Sequence, residues 1–147
     1  MLFPADEDVP RLVAVHCTVK REIPGDDETI MYKPDLAMFL GGGCYDYQLI
    51  DRIGHSGRKL RQPIYHVIRD NFLNDGSPPN RCVRRLMRGK APHAWAGNLL
   101  AMKVAGTGTF EKWVDMSMDD LPTVQAFYEW YPDEDGTCDS SVILEVR

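Results

Sequence analysis

The stretch NLLAMKVAGTGTFEKWVDM, Asn98–Met116, decides the fold. Leu100, Met102 and Val104 recur at every second position, the spacing at which side chains of an extended chain share one face. Phe110 to Val114 supply a return strand, and AGTG, Ala105–Gly108, gives the connection its conformational freedom. The expected unit is an antiparallel β-hairpin. An isolated hairpin is marginal in water, so further strands are expected to flank it.

Downstream, Ser117 and Asp120 stand in capping-box spacing ahead of a helical pattern in which Leu121, Val124, Phe127, Tyr128 and Tyr131 form one face and Pro132 the stop. SSVILEVR, residues 140–147, reads as a closing strand. Upstream, RLVAVHCTVKRE (11–22) alternates Val13, Val15, Cys17 and Val19 against His16, Thr18 and Lys20, and TIMYK (29–33) returns from the turn IPGDDET. PDLAMFLGGG (34–43) predicts a short helical turn opened by Asp35 and closed by glycine. YDYQLIDRI (45–53) fits helix or strand, and PIYHVIR (63–69) reads as strand on its side chains, although Ile64, Val67 and Ile68 also fit a helix. The sum is an α+β fold: a mainly antiparallel sheet of about five strands with two to four helices packed on it.

GNLLAMKVAGTGTFEKWVDMSMDDLP, Gly97–Pro122, resembles uncharacterised small intracellular proteins of mushroom-forming fungi, over about the second half of the chain. The resemblance rests on no functional motif, implies no activity and assigns no site residue.

With 147 residues, 44% of them hydrophobic and 27% charged, the chain is expected to form a single globular domain, with the acidic residues 1–10 loose. No apolar run reaches the roughly 20 residues of a membrane span. The start carries acids where a signal peptide needs positive charge, and N-x-Ser/Thr is absent, so the cytoplasm or nucleus is the expected compartment. Cys17, Cys44, Cys82 and Cys138 are spaced too irregularly for a C-x-x-C zinc site and are expected to be free thiols. No motif calls for a metal or a cofactor.

The net charge of -5 hides an alternation: residues 1–51 carry net -6, residues 52–110 net +9, and residues 111–147 net -8. Its centre is NRCVRRLMRGK, Asn80–Lys90. Ser77 or Asn80 caps a helix with a proline in its first position, Cys82, Val83, Leu86 and Met87 form its buried stripe, and Gly89 ends it. Arg81, Arg84, Arg85, Arg88 and Lys90 then fall on the outer face and flanks, a row of donors suited to phosphate or carboxylate. His93, Trp95 and Asn98 just downstream would add stacking and hydrogen bonds. A second basic segment, GHSGRKLR (54–61), offers Arg58, Lys59 and Arg61 on a glycine-rich turn without P-loop spacing.

Two readings of the arginines stay open. They pair with the acidic flanks of the same chain, or they face an external anion. The first function to expect is a non-enzymatic binding domain for an acidic partner: a protein surface including a second copy, a phosphorylated ligand, or nucleic acid. The alternative is a small enzyme holding a phosphorylated or carboxylated substrate in a pocket with His55 or His66.

Overall fold

The expected hairpin is present in the computed structural model, which describes residues 1–22, 29–54, 57–69, 76–91, 93–106 and 112–131. In chain order the strands are β1 (Leu2–Phe3), β2 (Cys17–Glu22), β3 (Thr29–Pro34), β4 (Tyr45–Arg52), β5 (Lys59–Arg69), β6 (Leu99–Ala105) and β7 (Lys112–Val114). The helices are α1 (Ala37–Leu40), α2 (Arg81–Leu86) and α3 (Leu121–Trp130), the last entered through a 3-10 turn at Met118–Asp120. β6 and β7 pair antiparallel, Lys103 opposite Val114 and Ala105 opposite Lys112. Of the residues that connect them, 107–111 fall outside the described set, as does the strand expected at 140–147.

β6 is the spine. β5 pairs along one edge, Ile64 opposite Lys103 and Val67 opposite Leu100, and β4 pairs with β5 beyond it. The other edge is shared in tandem by β7 and β1, with Leu2 opposite Leu100 and Phe3 opposite Leu99. All pairings are antiparallel, so the fold is α+β around a five-stranded sheet, with β2 and β3 forming a separate two-stranded ladder.

Both faces of the five-stranded sheet are covered. Phe3, Ile50, Ile64, Ile68, Leu99 and Ala101 meet α2 and α3 through Val83, Val124, Phe127 and Tyr128. Leu2, Tyr65, Val67, Leu100, Met102 and Val104 meet Leu36 and Leu40 around α1, with Val13 and Val15 alongside. Two-sided burial explains why 64–68 is a continuous buried run rather than an alternating one, and why its sequence fits helix as well as strand. It also corrects the reading of 11–22 as one long strand. Val13 and Val15 do pack inward, but residues 12–16 carry no strand pairing and the ladder begins at Cys17.

Residues 1–10 were expected to be loose, and the first five are not. Met1 to Ala5 are buried. Leu2 and Phe3 project to opposite faces of the sheet, and Phe3 packs edge-on to Tyr128 at 5.4 Å between ring centres. The chain then doubles back, Leu2 and Arg11 exchanging backbone hydrogen bonds of 2.8 and 3.0 Å. Weighing only the acids in ADEDVP missed the apolar pair ahead of them.

Capping chemistry sets the helix starts. Ser117 and Asp120 form the expected reciprocal box. Asp35 makes no cap; Leu36 occupies the N-cap position of α1 without a side-chain bond. At α2 the cap is Asn80, and the prolines precede it instead of opening the helix. The Asn80 carboxamide is 2% exposed and fully used. Its Oδ1 accepts from the Val83 N–H at 2.8 Å, and its Nδ2 donates to the carbonyls of Phe3 (2.9 Å) and Gly97 (2.8 Å). One side chain thus starts α2, holds β1 and fixes the approach to β6.

Asn80→Ala is expected to cost about 2–4 kcal/mol, the cap plus the two hydrogen bonds to the Phe3 and Gly97 carbonyls. Asn80→Asp retains a capping oxygen but turns a carboxylate on those carbonyls, so at neutral pH it should be at least as destabilised. Urea denaturation of the two variants checks both, and a loss below about 1 kcal/mol in each would contradict this role.

Candidate functional site

A helix of six residues has little stability of its own, and α2 persists because one side of it is buried. Cys82 and Val83 are inaccessible and Met87 nearly so, each worth about 1.5–3 kcal/mol for a large side chain fully removed from water. Leu86, expected in the buried stripe, is only partly covered at the edge of the core. The remaining side chains, Arg81, Arg84, Arg85, Arg88 and Lys90, are all exposed.

These five cations are not equivalent. The chain turn at residues 5–8 lies against the start of the helix, where the Arg81 N–H donates to the Ala5 carbonyl at 3.0 Å. Asp8 there meets Arg81 Nε at 2.8 Å, and its second oxygen lies 3.9 Å from an Arg85 terminal nitrogen. Both partners are about half exposed, so the pairs add little stability, but they direct two guanidinium groups towards the chain's own acid. Arg84, Arg88 and Lys90 make no ion pair or side-chain hydrogen bond among the described residues. Arg88 also holds φ at 53°, a left-handed conformation that costs a side chain about 1–2 kcal/mol, before Gly89 at φ 73° continues the turn. The pair closes the helix, the Arg88 N–H donating to the Arg85 carbonyl at 3.1 Å and the Gly89 N–H to the Arg84 carbonyl at 2.8 Å.

Beside this face lies a cleft of about 320 Å³ between α2 and residues 91–96, lined among others by Val83, Arg84, Gly89, Ala91, His93 and Trp95. The expected stacking platform does not face outward there. Trp95 is 5% exposed, its ring packed against Phe127, Tyr128, Tyr131 and His66 as part of the cleft wall. Asn98 is engaged internally: its Oδ1 accepts from the Ala5 N–H and its Nδ2 donates to the Phe39 carbonyl, both at 2.8 Å. Helical periodicity placed Arg81, Arg84 and Arg85 on the exposed side of α2, but the helix ends at Leu86 rather than at Gly89, so Arg88 and Lys90 stand in the turn beyond it. The engagement of Trp95 and Asn98 follows from tertiary packing that local spacing does not encode. His93 is half-buried, its ring 4.5 Å from Trp95 and 5.4 Å from Tyr131, and burial pulls its pKa below the ordinary imidazole value.

The second basic segment sits elsewhere, at the end of the β4–β5 hairpin. Lys59 pairs with Arg52, the Arg58 carbonyl accepts from the Ile53 N–H at 3.1 Å, and Arg58, Lys59 and Arg61 are exposed. His55 and Ser56 lie outside the described residues. No hydrogen bond or ion pair connects this tip to α2 among the described residues.

Sequence reading missed one polar constellation in the core. His66 on β5 is inaccessible, with Nδ1 2.9 Å from Gln48 Oε1 and Nε2 2.7 Å from the Tyr128 hydroxyl, while Gln48 Nε2 donates to the Tyr131 hydroxyl at 3.1 Å. With Gln48 presenting its oxygen, Nδ1 carries the proton and Nε2 accepts from Tyr128. The signal available was a lone histidine inside a five-residue apolar run, opposite Gln48 in the β4–β5 register. Both ring nitrogens are engaged inside the core, so His66 does not face a substrate. Cys82 is equally unreactive: burial, reinforced by Glu7 and Asp8, pushes its thiol to about 12. Cys17, Cys44 and Cys82 are free, Cys138 lies outside the described residues, and among those residues no cluster of His, Cys, Asp or Glu is placed to hold a metal.

No protein-family model, no curated protein and no solved structure matches the chain.

Burial, helped by nearby His93, lowers the His66 pKa from 6.5 to about 3. Between those values the unfolded chain binds one more proton than the native state. Stability is therefore fully present above pH 6.5 and falls on acidification, by at most about 1.4 kcal/mol per pH unit, with His93 adding in the same direction. Nuclear magnetic resonance should find the His66 ring neutral down to pH 4, and urea midpoints should decline from pH 6.5 to 4.5. A ring titrating near 6.5 would contradict the buried network.

Proposed function

We propose that the protein is a non-enzymatic binding domain whose α2 face takes an acidic partner. The observation that carries this reading is the division among the arginines. Asp8 engages Arg81 and Arg85, whereas Arg84, Arg88 and Lys90 stand exposed beside a cleft with no acid against them among the described residues. The self-pairing expected from the charge pattern therefore accounts for part of the ridge and leaves a remainder. Unpaired cations on a capped helix (Arg84) and in the turn that ends it (Arg88, Lys90) give a local positive potential, which selects and steers partners more than it adds raw affinity. The exposed Arg58, Lys59 and Arg61 would widen the field for a partner large enough to reach the β4–β5 tip. Phosphorylated ligand, nucleic acid, acidic protein surface and second copy all meet the charge requirement. No described helix is long and apolar enough to cross a membrane, so the reading invokes no bilayer.

The triple variant Arg84→Gln, Arg88→Gln, Lys90→Gln tests it against heparin and a polynucleotide over a salt series. The parent should bind at low salt and weaken steeply as salt rises. The variant should lose about one unit of log–log salt slope for each cation that had met a phosphate, with an unchanged melting temperature. Equal binding by parent and variant would remove this face from the function.

A further inference from the structure

We infer that the cleft beside α2 receives an apolar side chain of an acidic polypeptide segment, whose carboxylates lie on Arg84, Arg88 and Lys90. This rests on the reading of α2 as an acidic-partner face and names the class of partner.

The cleft and the cations meet at Arg84. Arg84 lines the cleft and belongs to the unpaired set, and Gly89, which follows Arg88 and precedes Lys90, lines it too. The interior differs in character from the rim. Val83, Ala91, Ala94, Ala96 and Trp95 contribute apolar groups, and His93 is half-buried and neutral at physiological pH. Among the described residues, no lysine or arginine other than Arg84 lines it. A polynucleotide needs cations tracking its phosphates and exposed aromatic faces for its bases, and Trp95 is buried edge-on against its neighbours. A volume of about 320 Å³ is at the low end for ligand pockets, which run from roughly 300 to 1,000 Å³. It has room for one large aliphatic or aromatic side chain. A peptide with one such anchor between carboxylates matches both parts at once: the anchor leaves water, and the carboxylates meet guanidinium donors whose geometry suits them.

The test uses the full-length protein and three short acetylated peptides: one leucine between aspartates, serine replacing that leucine, and asparagines replacing the aspartates. The leucine peptide should bind about tenfold tighter than the serine peptide, and its affinity should fall about tenfold in Arg84→Gln. Ala94→Leu fills the cleft from an exposed position, so it should abolish the preference for leucine while leaving heparin binding at the parent value. Equal binding of leucine and serine peptides, or an Ala94→Leu protein that keeps the preference, overturns the inference. If heparin binding is intact in that case, the acidic-partner reading survives and only the peptide class falls. If the parent binds neither peptide nor heparin, both fall together.

Discussion

The Asn80 carboxamide is the joint on which the rest of this surface depends. Its three hydrogen bonds connect the second residue of β1, the first turn of α2 and the glycine just before β6, positions far apart in the chain. The bonds to Phe3 and Val83 are buried and the one to Gly97 partly so, where a hydrogen bond is worth about 1 kcal/mol net. The consequence reaches function through geometry. α2 forms one wall of the cleft and Ala91 with residues 93–96 the other; the Asn80 side chain bonds into the first and to Gly97 just after the second. The Asn80 N–H adds a further bond to the Trp95 carbonyl at 2.9 Å.

The alternation of charge along the chain resolves into two kinds of pairing. Lys103 on β6 meets Asp120 at 2.7 Å with both side chains largely covered, which ties the start of α3 to the sheet. Asp8, in contrast, sits in water and takes only part of the arginine ridge. Self-pairing and partner binding are thus not exclusive. The acidic turn orients Arg81 and Arg85, and Arg84 projects from the next position of the helix beside the cleft.

Local periodicity and capping carried much of the fold. The 98–116 hairpin, the 29–33 return strand, Asn80 and the Ser117–Asp120 box were all legible, because each is set by residues within a few positions of one another. What escaped was set at long range. A two-residue strand has no period, so β1 was invisible until its pairing with Leu99 and Leu100. Burial on both faces erased the alternation in 64–68. Register alone brings Gln48 to His66, and α3 packing brings Tyr128 and Tyr131. Helical spacing placed Arg81, Arg84 and Arg85 on the exposed side of α2, and it gave no sign of the cleft, whose walls belong to segments that meet only in three dimensions.

The division of the ridge is the central claim, and the guanidinium signals of the arginines report on it directly. In a nitrogen–proton spectrum of the full-length protein, Arg81 Nε–H should be shifted and protected by its bond to Asp8, with Arg84 and Arg88 averaged in solvent. Addition of a heparin oligosaccharide at low salt should move Arg84 and Arg88 and leave Arg81 in place. Movement of Arg81 equal to that of Arg84, or an Arg84 signal indifferent to the polyanion, would contradict the account.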